Sequence, residues 1–410
     1  MKETEVIICG AGACGIICAI LLAKAKIDVL VLEKENKIAK KLFASGNGKC
    51  NIGNRFISYK NYHSNSLEYL KEILKEYSFE DVIKLFRSLG IEITQKEDGK
   101  LYPSSFSAKS LIEVLEFELK RLKIKIKLNS RVKRVFKKEE KFIIHTLEEK
   151  FEAKYFILAT GSEAMPKLGG SKDGLLLAKT LKHKITPTAP ALVPLKSSAK
   201  WIKKVAGLKI DVNLRLLFNK KEITSKRGDL LFTKYGVSGL AVLDISKNIS
   251  LLRDGKKTLV IDLFPDLNKN SLKELLIKRV LKSRKMPLEI WLSGLIHKDL
   301  ALALIKEWNL LGKDESNLNQ KMINFLSFQL KNIQIPILET RGFEWAEVAL
   351  GGVELKDISP KTLESKRVKN LFFCGEVLDV CGQRGGFNLH FAWISSIKVA
   401  KSIIKLTHKS

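Results

Sequence analysis

The chain of 410 residues is poor in cysteine, proline and acidic side chains, and each shortage excludes something. Its six cysteines, Cys9, Cys14, Cys18, Cys50, Cys374 and Cys381, make no CxxC pair and no Cys/His cluster. Neither a zinc module nor a disulfide framework is expected, and a reducing cytoplasm is the simplest setting. With 9 prolines and 26 glycines in a chain that is 45% apolar, collagen-like, low-complexity and disordered compositions are excluded. Long apolar runs are scarce as well. Val6 to Ala23 is uncharged and just reaches the length of a membrane span. It carries Gly10, Gly12 and Gly15, however, a second apolar run, Val29-Leu30-Val31-Leu32, follows immediately, and no small-residue cleavage site with a polar run after it is apparent. A soluble protein without a membrane partner or a metal is therefore expected. At roughly 150 residues per domain the length suggests between two and three structural units.

The shortage of acid leaves 73 Lys and Arg against 44 Asp and Glu, a net charge of +29. That excess suits a polyanionic partner such as RNA or an anionic membrane surface. It is equally what an AT-rich genome yields by enriching Lys, Ile and Asn, so charge alone does not choose.

What the sequence does have is a βαβ unit at its start: strand Val6-Ile7-Ile8-Cys9, a glycine turn, a helix from Gly15 to Ala25, and a strand from Ile27 to Leu32. Gly10-x-Gly12-x-x-Gly15 sits between strand and helix, which is the context that gives this motif meaning. Gly10 makes the tight turn, Gly12 lets backbone approach a pyrophosphate, and Gly15 lets helix and strand pack closely. The helix start, Ala13 and Cys14, offers free N–H groups to phosphate. Glu33 ends the second strand as a surface-facing acid at the distance expected for bonding the ribose hydroxyls of an adenosine.

Further along, helical spacing covers Leu67 to Leu89 and Leu111 to Leu122, a half-exposed strand covers Ile124 to Leu128, and meander strands fall at 131–136, 142–146 and 151–152. The apolar run 155–159 ends at Thr160-Gly161. Pro187, Pro190 and Pro194 mark a boundary. The expected architecture is α/β: a discontinuous Rossmann-type domain, 1–189 and 336–410, with an inserted substrate or cap domain, 190–335. The insert reads as β-rich over about 190–266, where short strands dominate, and as helical over 267–335, with Trp291 and Trp308 as core anchors. Late in the chain Leu371-Phe372-Phe373-Cys374-Gly375-Glu376 is a strand ending in Gly-Glu, and Gly385-Gly386-Phe387-Asn388 opens a helix. A helix start placed there puts its positive end near a flavin, which favours FAD over NAD as the resident cofactor.

These segments, with Lys40-Lys41-Leu42-Phe43-Ala44-Ser45-Gly46-Asn47-Gly48-Lys49-Cys50-Asn51, Pro190-Ala191-Leu192-Val193-Pro194 and Leu231 through Gly239, resemble the BaiN/RdsA-like flavoproteins, the YhiN family of NAD(P)/FAD-dependent oxidoreductases. The resemblance covers nearly the whole chain. It implies non-covalent FAD and reduction of activated C=C bonds, with large-subunit ribosomal RNA uridine or bile-acid intermediates as substrates. The set it implies for FAD is Gly10, Gly12, Ala13, Cys14, Gly15, Glu33, Lys34, Lys41, Ser45, Gly46, Gly48, Lys49, Cys50, Asn51, Val132, Thr160, Gly161, Gly375, Glu376, Asp379, Gly385, Gly386, Phe387 and Asn388. Asn47 and Lys49 depart from the family's Gly and Arg, His390 from its Gln, and Ala349 from its Thr. Hydride from the flavin would go to uracil C6 and a proton to C5, with Cys381, His390 and Cys50 as candidate acids. Lys49, Lys234 and Arg384 are candidate phosphate contacts. With no second dinucleotide fingerprint, NADH or NADPH would bind only transiently.

Overall fold

The computed structural model describes residues 2–281 and 285–408. The chain forms two units: one runs to Ala189 and resumes at Glu347, and the other is Pro190–Ala346. In the first unit a sheet is built from β1 (Lys2–Cys9), β2 (Val29–Leu32), β3 (Lys125–Lys127), β4 (Arg134–Lys138), β5 (Lys141–His145) and β6 (Lys150–Leu158), in the order β3-β2-β1-β6-β5-β4. The late strand Leu371–Phe373 pairs with β6 in parallel. Where strands are covered on both faces the sequence is continuously apolar, as in Val6 to Cys9 and Tyr155 to Leu158, all buried. Where β4 and β5 turn antiparallel at the edge, Lys and Arg interleave.

Register decides where a ligand can bind. Cys9 pairs with Leu32 and with Leu158, and Leu158 pairs with Phe373, so four parallel strands end level with one another. Gly10, Glu33, Ala159-Thr160-Gly161 and Cys374-Gly375 are the residues just past those ends. The crevice outside the carboxyl ends of parallel strands is where such sheets bind ligands. The first helix, α1 (Ala13–Lys24), packs against the C-terminal helix Phe387–Thr407 through small residues: the Ser396 hydroxyl donates to the Cys14 carbonyl at 3.2 Å.

Leu67 to Leu89 is not one helix but two, Leu67–Leu74 and Phe79–Arg87, because Ser78 forms a capping box with Asp81 and starts the second. The segment between β1 and β3 also holds a small antiparallel sheet, Gly53–Asn54, Lys100–Pro103 and Ile93–Gln95. Two-residue and three-residue strands leave little period to read.

In the second unit six antiparallel strands close a barrel in the order Leu195–Ser197, Gly236–Ser238, Lys221–Thr233, Lys209–Phe218, Lys257–Asp262 and Ile333–Thr340. Val212, Leu214 and Leu216 alternate inward, with Leu230, Phe232, Leu259 and Ile335 beside them. Two of the strands are long, and the helix Leu240–Leu251 lies among them, where only short strands were expected. Four helices between Lys269 and Lys331 make the helical part, with Trp291 buried and Trp308 half-buried against it. The expected return to the first domain at 336 is corrected to Glu347. Pro336 read as a breaker, yet it lies inside the strand that closes the barrel. The register shift between Lys196 and Ser197, opposite Ile337 and Glu339, falls just beyond this residue with no N–H, and the Ser197 hydroxyl donates to the Pro336 carbonyl at 2.7 Å.

Among the described residues no helix is long and apolar enough to cross a membrane, and no group of three or more His, Cys, Asp or Glu is placed to hold a metal ion.

Candidate functional site

The glycine turn shows three different uses of a missing side chain. Gly10 takes φ +108° and a Cβ there would meet the Ala159 carbonyl oxygen at 2.6 Å, so this turn needs glycine. A Cβ on Gly15 would run into the Gly10 carbonyl, which is how closely α1 sits on β1. Gly12 differs: its Cβ direction is open, with nothing within 4 Å, although its φ of −81° suits any residue. Gly12 caps α1, whose first turn has no acidic side chain and no side-chain cap. The first-turn N–H groups of Ala13, Cys14 and Gly15 have no acceptor within the helix, and the open Cβ direction at Gly12 leaves room beside them, as an anion would need. Gly161, past the end of β6, is likewise open.

Glu33 ends β2 as expected but is not surface-facing. It is 8% exposed, accepts the Ala11 N–H on Oε2 at 2.6 Å and accepts the Glu35 N–H on Oε1 at 2.9 Å. Its carboxylate therefore pins the glycine turn to the end of β2. Lys34 lies beside Glu35 at 3.9 Å. Val132 sends its side chain into the core, leaving only its backbone for a ligand.

The loop Ser45–Gly48 is held in left-handed conformations at Gly46, Asn47 and Gly48, and Cys50 follows at φ +55°. Asparagine tolerates that region better than most residues, so Asn47 fits where the resemblance has glycine. Lys41 pairs with Glu376 at 2.7 Å, and Glu376 also accepts from the Ser162 hydroxyl at 3.1 Å, which ties this loop's base to the segment after Phe373. Gly375 packs on the Cys14 thiol, and its N–H donates to Ser395.

At the far end, Gly385 and Gly386 both have positive φ and lead into the C-terminal helix, whose N-cap, Gly386, has no side-chain cap bond. Gly386 lies against Gly53 and Asn51, and the Asn54 amide donates to the Gly385 carbonyl at 3.1 Å. Asn388 holds this loop from the other side: its Oδ1 accepts from the Gly382 N–H at 2.7 Å and its Nδ2 donates to the Gly382 carbonyl at 2.9 Å. Its amide is spent on the loop, so Asn388 shapes the site. Tyr62 donates to the Phe387 carbonyl at 3.0 Å.

Three buried oxygens in these segments have no hydrogen-bond partner: Asn51 Oδ1, Thr160 Oγ1 and Asp379 Oδ1. Asp379 is fully buried, accepts two N–H bonds from Asn65 at 3.0 Å on its other oxygen, and is raised above the usual carboxylate range by burial. Unmet polar groups in an otherwise bonded interior call for a partner the chain does not supply. FAD fits: the α1 start and Gly12 would hold its pyrophosphate, Glu33 its ribose, and the 45–51 and 379–388 segments its flavin end.

The candidate acids are all enclosed. Cys50 and His390 have no exposed surface, and Cys381 has 5%. Burial pushes the Cys50 thiol up to about 11 and the His390 imidazole down to about 4. Both His390 ring nitrogens lack hydrogen-bond partners. Cys381 pairs with His63 in a short antiparallel bridge. Of the phosphate candidates, Lys49 is exposed on the glycine loop, Arg384 is half-buried and engaged, and Lys234 is exposed in the barrel unit. Asn54 and Asn65 were missed by sequence reasoning. Asn54 meets a residue 331 positions away and Asn65 one 314 away, and no local spacing signals such pairs.

The family profile described as HI0933-like protein Rossmann domain matches residues 4–402. A 3-dehydro-bile acid delta(4,6)-reductase from Clostridium scindens is 33% identical over 94% of this chain and 95% of its own length. Two proteins named ribosomal RNA dihydrouridine synthase are similar over 98% of this chain and 99% of their own: that of Haemophilus influenzae at 33% identity and that of Escherichia coli at 31%. Among solved structures, a 3-ketosteroid delta1-dehydrogenase from Sterolibacterium denitrificans superposes with TM-score 0.55 at 10% identity, covering 99% of this chain and 100% of that one. A flavocytochrome c3 fumarate reductase gives 0.51 at 16%, covering 98% and 78%. At these identities the structural likeness shows the fold alone.

Proposed function

The chain belongs to the HI0933-like Rossmann family and is an FAD-dependent oxidoreductase, and from that premise we propose that it reduces an activated C=C bond, that of uridine in large-subunit ribosomal RNA. The observation that carries the redox reading is the level ending of four parallel strands beneath an uncapped helix start, with Gly12 and Gly161 open above them. The RNA reading is supported by two relatives of that name along the whole chain and by the net charge of +29. A small neutral substrate gives no physical reason for that charge beyond the compositional bias of an AT-rich genome.

Bound FAD in its reduced form supplies a hydride, with NADH or NADPH as the proposed transient donor of electrons. Uracil accepts a hydride at C6 because the C4 carbonyl polarises C5=C6, and the product gains one proton at C5. The chain must therefore hold a proton near that carbon. All three candidate acids are buried; Cys381, which alone of them keeps any exposed surface and starts the loop carrying Gly385 and Gly386, is the proposed donor. Lys41 and Glu376 neutralise each other and keep the cofactor loop in register.

The 33% identity to a bile-acid reductase favours a second reading, a small-molecule ene-reductase. The two separate in one anaerobic experiment: reduced holoprotein is mixed with unmodified ribosomal RNA or with a conjugated steroid ketone, and reoxidation is followed with product analysis. Reoxidation and dihydrouridine with RNA support the first reading. Reoxidation by the steroid alone transfers the assignment to the second.

A further inference from the structure

Beside the glycine loop lies an open cleft of about 720 Å³ lined by Lys49, Lys96, Glu97, Asp98, Tyr102 and Phe106. It sits on the small sheet in which Gly53–Asn54 pairs with Lys100–Pro103. Its walls hold two rings, two lysines and two carboxylates. Tyr102 and Phe106 stack at 5.4 Å with a 35° tilt, and the Lys96 ammonium rests over the Phe106 ring at 4.7 Å. Next to it Phe56 is 59% exposed, lies on Gly99, and has Arg55 at 5.9 Å from its ring. Lys49, Arg55 and Lys96 pair with no carboxylate among the described residues, whereas Asp98 is tied to Lys100 at 2.5 Å. Of the two wall carboxylates, Asp98 is offset by Lys100, which leaves Glu97 as the one that opposes an anion without a partner cation among the described residues.

The cleft is continuous with the cofactor segments. Lys49 ends the loop that begins at Ser45, and Asn54, next to Arg55, bonds Gly385. Rings interleaved with unpaired cations fit a strand of nucleic acid with unpaired bases: the rings take base faces and the cations take phosphates. A duplex offers no free base faces, so its bases cannot use the rings. An anionic membrane needs the cations but not a recessed ring pair.

Resting on the RNA reading above, we infer that this cleft is a docking platform for single-stranded RNA, with bases stacked on Tyr102 and Phe106 and phosphates on Lys49, Arg55 and Lys96. Lys96 would leave the Phe106 face to meet a phosphate as a base replaces it. Glu97 would accept from a base N–H.

The test measures the affinity of FAD-loaded protein for a labelled oligouridylate at two salt concentrations, in wild type, Phe106→Leu, Phe106→Trp and Lys96→Gln. The visible flavin spectrum checks the fold of each. Phe106→Leu should bind about fivefold or more weakly, because it keeps apolar bulk but loses the ring, and Phe106→Trp should retain affinity. Lys96→Gln should reduce the salt slope by about 0.7. If wild type binds and both Phe106 variants bind equally well, the platform is overturned and the RNA reading stands. If wild type does not bind oligouridylate, the platform is overturned, and the RNA reading is decided separately by dihydrouridine formation in unmodified ribosomal RNA. Equal capture by vesicles of anionic lipid, insensitive to Phe106, likewise overturns the platform in favour of a membrane surface.

Discussion

A side chain added at Gly12 tests the cofactor site without threatening the fold. The position has ordinary φ, an open Cβ direction and the N-cap place on α1, where Asp is among the preferred caps. Gly12→Asp should fold with unchanged or slightly raised stability and yet purify colourless, since a carboxylate would occupy the phosphate's position. Yellow Gly12→Asp protein would remove the pyrophosphate assignment. Glu33 was legible as the acid ending β2, but its burial was not, because the turn that folds back onto it is set by tertiary packing. Glu33→Ala should weaken FAD binding about 10- to 150-fold. It should also lower stability by about 1–3 kcal/mol through the freed Ala11 and Glu35 amides. Isothermal titration of the apoprotein with FAD and denaturant melts separate the two effects.

His390 gives a pH prediction. Burial holds its imidazole near 4 in the folded chain, against ~6.5 when unfolded. Between those values the unfolded chain binds more protons, so stability present at neutral pH is lost as the pH falls from about 6.5 toward 4. The slope from this one group approaches about 1.4 kcal/mol per pH unit. His390→Gln should flatten it, leaving the smaller contribution of His183, which burial also lowers. Urea melts of both proteins at neutral and mildly acidic pH decide this. An unchanged acid sensitivity in His390→Gln would show that the imidazole does not stay neutral inside the fold.

At the scale of elements, the βαβ unit and the C-terminal strand and helix could be read because each is long, apolar and locally punctuated. What could not be read is closure between distant segments. The loop 382–386 takes its shape from Asn388 and Asn54, and the barrel strand that carries Pro336 has a register shift two residues further on, between Ile337 and Glu339. Asn388→Ala should leave α1 and its anion site intact while loosening the flavin end. FAD would then remain bound with broadened, blue-shifted absorption and faster release, measured by gel filtration and stopped-flow dilution. Gly15→Ala makes the opposite contrast to Gly12. Its methyl would strike the Gly10 carbonyl, so this variant should lose stability by about 1–3 kcal/mol or fail to accumulate, with loss of colour following loss of fold. The candidate acids show the same division. Their presence near cofactor motifs was visible in the sequence, but only the packing shows that all three are buried and that Cys381 alone keeps a trace of exposed surface.

For the molecule as a whole, the charge of +29 remained ambiguous in the sequence because composition carries no positions. Folding spends many lysines on surface pairs, while Lys49, Arg55 and Lys96 pair with no carboxylate among the described residues and stand around the half-buried Tyr102 and Phe106 and the exposed Phe56. That local arrangement, rather than the total, argues for an RNA partner. The most direct test is mass spectrometry of large-subunit ribosomal RNA from a strain lacking this gene, beside the same strain carrying the gene with or without Gly12→Asp. Loss of a two-hydrogen mass increment from one uridine in the deletion strain, restored by the wild-type gene and not by Gly12→Asp, is the result predicted here. Identical ribosomal RNA masses in all three strains would contradict it.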